Sequence, residues 1–294
     1  MSQEQVTSAP TSRGLGARVV QRMTRGPVAV LLVLIALLWL VPTVGLLAAS
    51  FRSAADNGAS GWWTAILHPA QLTLDSYGNV LDNPDMIRSF WNTALITVPA
   101  SVLVVMVGAA AAYAFAWIPF RGRDWLFLVV VGLLVVPLQI ALIPVARLYD
   151  IVGLFGTIPG VVLFHVAFGL PFAIFLLRNF FIGIPSELLE AARMDGAGEL
   201  MVFRRVVLPL GIPAIASLLI FQFMWVWNDL LVALVFSSSS GQPLTVTIRE
   251  QLRSFGANID VIAPAAFLQL VVPLIVFFAF QRYFVQGLLA GSQR

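Results

Sequence analysis

The sequence predicts an all-α, polytopic membrane protein with six transmembrane helices. The first observation is composition, because 60% of the 294 residues are hydrophobic and only 11% are charged. The second is that the apolar residues form long runs almost free of charge, and about 20 such residues cover the ~30 Å hydrocarbon core of a bilayer. The third is that the arginines collect in alternate connecting segments. A soluble globular domain does not combine these features.

The chain divides into a polar tail and one long membrane domain. Residues 1–26 are polar and contain four arginines, which predicts a disordered basic cytoplasmic tail. Residues 27–294 form the membrane domain, and Arg147 and Asp150 are predicted to lie in a short external hairpin together with Gly153. The predicted spans are residues 27–50, 90–118, 125–145, 158–177, 212–236 and 262–284.

Arginine placement predicts the orientation of the chain. With the N-terminus inside, 12 of the 17 arginines fall in cytoplasmic segments, so the positive-inside rule places both termini in the cytoplasm. All 17 basic residues are arginine, and the chain therefore lacks the lysine that a phosphate-binding loop needs for the β- and γ-phosphates. If ATP drives this protein, another subunit hydrolyses it. The pI of 9.9 follows from the cytoplasmic arginines and does not indicate nucleic-acid binding.

One polar, helix-prone island interrupts the second half of the chain at residues 187–209. Ser186 is positioned to cap a helix with Glu187 in its first turn, where an acidic side chain favours the positive end of the helix dipole. Gly196 is expected to end that helix. A second short helix is predicted over residues 199–208, leading into the next span. A structured polar element of this kind indicates that a partner docks on it.

The spacing within this island resembles a known family motif. The residues Glu190-Ala191-Ala192, Gly196, Val206 and Leu208-Pro209 resemble the EAA loop of permease subunits of ATP-binding-cassette (ABC) importers, which usually has Ile where this chain has Val206. Residues 184–197 resemble more narrowly the carbohydrate branch and are similar to the second permease of the maltose transporter. Residues 111–116, 178–181 and 281–291 also match the family pattern, so the resemblance covers nearly everything after residue 27.

The resemblance implies a type I ABC importer permease fold for the uptake of a sugar or oligosaccharide. Residues 27–294 would form the transmembrane permease domain, with a cytoplasmic coupling loop at 179–209. The residues expected to contact an ATPase are Glu187, Leu188, Glu190, Ala191, Ala192, Asp195 and Gly196. The implied partners are two ABC ATPase subunits that bind ATP and magnesium, a second related permease, an extracytoplasmic solute-binding protein and membrane lipid. No catalytic, metal-binding or cofactor residue is expected in this chain, and the implied location is the bacterial plasma (inner) membrane.

Polar side chains at membrane depth are costly and therefore indicate function. The candidates for the substrate path are Gln139, His165, Gln222, Trp225, Asn228, Asp229 and Gln269, because planar polar groups beside aromatic rings suit sugar hydroxyls. Structural alternatives are helix–helix hydrogen bonds for Gln222 and Gln269, core packing for His165, the interfacial belt for Trp225 and a helix end for Asn228 and Asp229. Prolines at positions 137, 144, 159, 171 and 273 can kink spans, which suits alternating access.

Three other functions remain open from the sequence. An ion-coupled secondary transporter needs buried carboxylates or histidines, for which only Asp229 and His165 qualify. An intramembrane enzyme needs a nucleophile or a metal motif, and the chain has two histidines, no cysteine and neither a His-Glu-x-x-His nor a Gly-x-Ser-x-Gly sequence. An ABC importer permease for a polyol or a glycerophosphodiester would carry the same loop.

Overall fold

The computed structural model describes residues 15–252 and 258–292, with side chains for residues 26–252 and 258–281. The described residues are mostly helical and contain no β-strand, only two isolated bridges. The helices are α1 (Leu15–Ser50), α2 (Ala54–Ala59), α3 (Thr64–Leu67), α4 (Asp75–Leu81), α5 (Pro84–Trp117), α6 (Arg123–Leu133), α7 (Leu138–Val152), α8 (Ile158–Phe181), α9 (Ser186–Met194), α10 (Glu199–Val202), α11 (Leu208–Trp227), α12 (Leu231–Phe236), α13 (Leu244–Leu252) and α14 (Ile259–Ser292). A 3₁₀ turn covers Pro69–Gln71, and a π-helical turn at Phe203–Val207 joins α10 to α11. The all-α prediction is confirmed.

Five helical segments are long and apolar enough to cross a membrane, and they lie in α1, α5, α8, α10–α11 and α14. The predicted span at residues 125–145 is not one straight helix, because α6 and α7 meet there at 101° and form a sixth span only if they are counted together. The break lies at Pro137, whose backbone is extended (ψ 128°) and which offers no N–H to the preceding turn. The third predicted span is therefore bent at Pro137, one of the five prolines expected to kink a span, and the predicted total of six holds when α6 and α7 count as one span.

Two terminal predictions fall partly outside the structure. Residues 1–14 of the predicted disordered tail lie outside the described residues, and α1 begins at Leu15, inside the predicted 1–26 segment. The C-terminal family motif at residues 281–291 lies in α14, but its side chains beyond Gln281 are outside the described residues.

Two internal boundaries differ from those predicted. Arg147 and Asp150 lie inside α7, and the hairpin begins instead at Gly153, whose φ of +73° is accessible to glycine at little cost. The predicted span at residues 212–236 ends at Asn228, the C-cap of α11, and α12 follows as a separate short helix. Hydropathy alone does not reveal such breaks, because the residues on both sides of them are apolar.

Helices α5 and α8 form the centre of the bundle, and α11 packs against both. A Cβ on Gly108 of α5 would lie 2.7 Å from the Cβ of Ala173 on α8, so the two backbones approach as closely as glycine permits. Gly169 of α8 leaves room for Gln222 of α11 in the same way, since a Cβ there would lie 2.8 Å from Gln222 Nε2. Small residues at the crossing points are the usual means by which transmembrane helices pack tightly.

The bundle has two distinct ends. Helices α5 and α8 finish side by side, where Trp117 Nε1 donates a hydrogen bond to the Phe181 carbonyl at 3.1 Å. Because α9 and α10 follow α8 there, we call this the loop end. At the other end, which we call the cap end, residues 51–83 connect α1 to α5 through three short helices and one 3₁₀ turn.

Arg52 organises the cap end, although it carries a charge and is fully buried. Its guanidinium donates to the carbonyls of Asp56 (2.7 Å) and Ser60 (3.2 Å) and to the side-chain oxygens of Ser60 (2.7 Å), Thr64 (3.1 Å) and Asn57 (3.3 Å). All of these acceptors are neutral, so the charge is stabilised by dipoles rather than by a carboxylate. One side chain thereby fixes the path of the whole 52–64 segment.

Candidate functional site

Helix α9 has one anchored side and one exposed side. Leu189 is fully buried and belongs to the core cluster that also contains Leu177 and Phe181 of α8. On the other side, 47% of Leu188 and 84% of Met194 are exposed. Burying a leucine on one side of a nine-residue helix holds that helix on the bundle and leaves its outer surface free for contact.

The start of α9 differs from the predicted cap. Ser186 is the first helical residue, and Pro185 occupies the N-cap position with no side-chain hydrogen bond. The prediction that Ser186 caps the helix is therefore wrong, because a proline already fixes the extended backbone that leads into the first turn. Glu187 lies in that first turn, as predicted, where its charge faces the positive end of the helix dipole.

The end of α9 is a Schellman motif. The N–H of Ala197 donates to the Ala192 carbonyl and the N–H of Gly196 donates to the Arg193 carbonyl, both at 3.0 Å. Gly196 has φ +84°, a conformation that residues with a Cβ rarely adopt. Ala192 and Ala197 occupy the two positions that are usually apolar in this motif, and both pack against the core cluster.

Nearly all of the residues predicted to contact an ATPase are exposed in this chain. The exposed ones are Glu187, Leu188, Glu190, Ala191, Asp195 and Gly196, whereas Ala192 is half-buried and faces the core cluster. The predicted second helix at residues 199–208 is not separate, because α10 continues through the π-helical turn into α11.

A polar network at the loop end was not predicted from the sequence. Tyr113, a buried residue of α5, donates from its hydroxyl to Glu199 Oε2 at 2.5 Å. Arg193 of α9 donates from Nε to Glu199 Oε1 at 2.9 Å and from Nη2 to Oε2 at 3.2 Å. These hydrogen bonds to Glu199 raise the pKa of Arg193 above its usual value, so its charge persists throughout the physiological range. Tyr113 and Glu199 are 86 residues apart, and no local pattern in the sequence relates them.

The π-helical turn has an identifiable cause. The N–H of Leu208 donates to the Phe203 carbonyl, five residues earlier, instead of to the residue four earlier. Pro209 follows immediately and has no N–H to offer the Arg205 carbonyl. The helical hydrogen-bond pattern is thus interrupted where the loop enters the long helix α11, and π-helical turns are frequent at functional sites.

Three of the predicted substrate-path residues lie together near the cap end of α11. His165 Nε2 is 3.6 Å from Asp229 Oδ2, too far for a hydrogen bond, and its ring meets the Trp225 ring edge-on at 5.9 Å. Asp229 accepts hydrogen bonds from the N–H groups of Val232 (3.3 Å) and Ala233 (3.0 Å). Asp229 therefore caps α12, which is the helix-end role considered as its alternative.

The two buried glutamines both lie between helices. Gln269 of α14 donates to the Trp227 carbonyl at 2.8 Å, and Trp227 Nε1 donates back to the Gln269 carbonyl at 2.9 Å. Gln222 lies against Gly169, and its Nε2 has no hydrogen-bond partner among the described residues. His165 Nδ1 is likewise buried and without a partner there. These three side chains do not reach the surface of the chain.

The three exposed candidates lie at two separate places in the fold. Gln139 is on α7, two residues after the break at Pro137, whereas Trp225 and Asn228 are at the end of α11. Asn228 donates to the Met224 carbonyl at 2.8 Å. The structure therefore does not bring the seven candidates into one site. Among residues 26–252 and 258–281, no group of three or more metal-ligating side chains is arranged to hold a metal ion.

Comparison with known proteins identifies the family. Residues 104–289 match the family described as binding-protein-dependent transport system inner membrane component. The chain is 47% identical over 271 residues to the osmoprotective compounds uptake permease protein GgtD of Synechocystis sp., covering 90% of this chain and 91% of that protein. It is 51% identical over 248 residues to the alpha-glucoside transport system permease protein AglG of Rhizobium meliloti, covering 82% of this chain and 65% of that one.

Solved structures agree on the fold. One chain of a bacterial ABC transporter involved in the import of the acidic polysaccharide alginate superposes with a TM-score of 0.74 at 24% identity. The match covers 94% of this chain and 100% of that chain, so the predicted ABC importer permease fold is confirmed. The relatives are transport permeases rather than enzymes. This chain belongs to the family of binding-protein-dependent transport system inner membrane components, and it is a multi-pass protein of the bacterial inner membrane.

Proposed function

We propose that this chain is the membrane-spanning permease subunit of an ATP-driven importer for a sugar or oligosaccharide. Family membership supports an importer that works with a binding protein. Relatives named for alpha-glucosides and, at 32% identity, for arabinooligosaccharides support the sugar class. The observation that carries the proposal is the two-sided helix α9, anchored by Leu189 and exposed at Leu188 and Met194. An ion-coupled transporter has no ATPase subunit, so it would not need an exposed helix on which such a subunit docks.

In the proposed mechanism, α9 seats in a cleft of a cytoplasmic ATPase subunit. Leu188, Ala191 and Met194 recur every three residues along the exposed side and would fill an apolar part of that cleft. Glu187 and Glu190 would form polar contacts around it. Two ATPase subunits bind ATP and magnesium, and their closure moves α9. Because Leu189 is buried among core residues of the bundle, this movement is passed to the spans.

The proposed substrate path follows from the broken helix α6–α7. Backbone that leaves the helical pattern is not found facing lipid at membrane depth, because its polar groups would lack hydrogen-bond partners. Val135, within the break, is 81% exposed in the isolated chain. We therefore propose that the break faces a second, related permease across a water-filled path. Gln139 would then be the strongest candidate for contact with sugar hydroxyls, with Trp225 and Asn228 next.

The other four candidates receive a different proposal. Gln269 is engaged with Trp227 and Asp229 caps α12, so both hold helices in position. His165 and Gln222 are buried in this conformation and would reach a substrate only if α8 and α11 separated. We propose that these four residues shape the path without lining it.

Site-directed crosslinking tests the coupling role directly. The chain contains no cysteine, so a single introduced cysteine is the only reactive thiol in this subunit. In the assembled complex, Leu188→Cys is expected to crosslink to the ATPase. Leu74→Cys is the matched control, because Leu74 is 69% exposed but lies at the cap end. Equal crosslinking from both positions, or none from Leu188→Cys, would contradict the proposal.

Uptake into proteoliposomes tests the substrate class. The complex with its binding protein is expected to accumulate a labelled sugar only when ATP is present on the side of the ATPase. Competition by unlabelled sugars, polyols and glycerophosphodiesters then ranks the solutes. Uptake driven by a proton or sodium gradient without ATP would overturn the importer assignment, and competition by polyols alone would overturn the sugar assignment.

A further inference from the structure

The coupling loop is attached to the bundle by a clamp made of Tyr113, Glu199 and Arg193. We propose that this clamp fixes α9 and α10 to the long span α5, so that ATPase movement is delivered to α5 instead of being absorbed within the loop. The inference rests on the proposed function, since it names the positioning residues through which that coupling acts. None of the three is among the residues predicted to touch the ATPase.

The geometry of the clamp joins three elements at one carboxylate. Glu199 begins α10 and accepts hydrogen bonds from Tyr113 on α5 and from Arg193 on α9. Tyr113 and Arg193 both donate to Oε2, and Arg193 also donates to Oε1, so one carboxylate links α5 to α9. Hydrogen bonds in which a partner is ionised are shorter and about twice as strong as neutral ones.

The tyrosine is the rigid part of the clamp. Only 4% of Tyr113 is exposed, and its ring packs against Phe203 with the ring centroids 5.1 Å apart. Its hydroxyl donates to a carboxylate at a partly buried position, and losing a hydrogen bond to a charged group costs more than losing one between neutral groups. The core cluster around Tyr113 also contains Leu189 of α9, so a polar and an apolar attachment hold the same loop.

The other connection of the loop is weaker. Between α10 and α11 the backbone passes through the π-helical turn, and Pro209 leaves one carbonyl without its usual donor. The loop is thus clamped to α5 by side chains and joined to α11 by an interrupted helix. Since α5 packs closely on α8 at Gly108 and Ala173, force applied to α5 moves the centre of the bundle.

The test is Tyr113→Phe, which removes one hydroxyl and keeps the ring that packs on Phe203. Sugar uptake and ATP hydrolysis are measured together in proteoliposomes, and their ratio is the readout. The number of sugars moved per ATP is expected to fall about 10-fold, because a hydrogen bond to a charged group is lost. ATP hydrolysis continues, since the ATPase subunits and the exposed side of α9 are unchanged. A residue that merely stabilised the fold would lower both rates together and leave their ratio unchanged.

The matched control is Tyr77→Phe at the cap end. The hydroxyl of Tyr77 also bonds to another element, since it lies 2.8 Å from Ser50 Oγ at the end of α1. This variant is expected to keep the wild-type ratio of uptake to ATP hydrolysis. Identical ratios for Tyr113→Phe and Tyr77→Phe would overturn the clamp.

A charge exchange covers the case in which Tyr113→Phe fails to assemble. Arg193→Glu and Glu199→Arg each place like charges together and are expected to lower the ratio, whereas the double variant restores an opposite-charge pair and is expected to recover it at least partly. No recovery in the double variant would count against the clamp. If the wild-type complex shows no ATP-dependent uptake, the proposed function is refuted. If the wild-type complex transports sugar and the single variants keep its ratio of uptake to ATP hydrolysis, only the clamp is refuted.

Discussion

The two ends of the bundle use polar residues in opposite ways. At the cap end, Arg52 is fully buried, and its guanidinium donates hydrogen bonds to neutral acceptors within residues 52–64. At the loop end, α9 buries only Leu189 and leaves Glu187 and Glu190 exposed. The cap-end segment is closed upon itself, whereas the loop end keeps polar groups available for another molecule.

Under the proposed function, this contrast separates residues that maintain the structure from residues that would transmit movement. Removing a buried charge that organises a segment should lower the stability of the protein. Substitutions on the exposed side of a helix should leave the stability of the protein nearly unchanged but impair its function. The predictions below test this difference, beginning with the largest expected effect.

Gly196→Asp is expected to abolish transport while leaving membrane insertion intact. Gly196 has φ +84° and nothing lies within 4 Å of a Cβ built there, so the new side chain meets no clash inside the chain and would project into the proposed ATPase contact. The backbone strain itself amounts to about 1 kcal/mol. Uptake in proteoliposomes and the amount of chain in the membrane fraction are the measurements.

Gly122→Asp is the matched control for that variant. Gly122 also lies at the loop end, has φ +82° and has equally open surroundings, but it precedes α6 and not the contact helix. Its transport is expected to stay close to wild type. Loss of transport in both variants would show that strain, rather than position, matters, and normal transport by Gly196→Asp would refute the coupling role.

Arg52→Met is expected to lower the free energy of unfolding by about 4 kcal/mol, because several neutral acceptors lose their donor and each costs about 1–3 kcal/mol when buried and unpaired. Unfolding of the purified chain in detergent is the measurement. Arg88→Met at the same end should lower the free energy of unfolding by less than about 1 kcal/mol. The side chain of Arg88 is 52% exposed and forms a surface ion pair with Asp85. Equal losses for the two variants would mean that Arg52 does not organise the cap.

Leu189→Ala and Leu188→Ala compare adjacent residues on opposite sides of α9. Leu189→Ala removes a fully buried side chain and is expected to lower the free energy of unfolding by about 3 kcal/mol. Leu188→Ala is expected to change it by less than about 0.5 kcal/mol, because Leu188 is 47% exposed, while weakening retention of the ATPase during purification. The reverse order of stability losses would show that α9 is attached through its other side.

Much of the fold was predictable because it depends on composition along the chain. Apolar runs located the spans, and the exposed surface of α9 followed from its polar residues. The break at Pro137 was one of five proline positions considered, yet Pro144, Pro171 and Pro273 lie inside continuous helices. A proline removes one hydrogen bond at every such position, so the surrounding packing determines whether the helix bends.

The substrate-path candidates show where prediction from the sequence stopped. Gln139, Gln222 and Gln269 have the same side chain and were selected by the same argument, but one is exposed and two are buried between helices. Asp229 was selected as a path residue and caps α12. The cost of a polar group in the membrane indicates that it has a partner, without indicating whether that partner is a helix or a solute.

The sequence by itself determined the helical class, the location of the spans and the turn at Gly196, because each follows from local backbone preference or from transfer into lipid. The tertiary structure decided that Glu199 is held by Tyr113, that Arg52 is buried among neutral acceptors and that α6 and α7 diverge by 101°. These features depend on groups distant in the chain meeting in space. Their energies arise from pairs of residues, and the properties of single residues do not specify which pairs form.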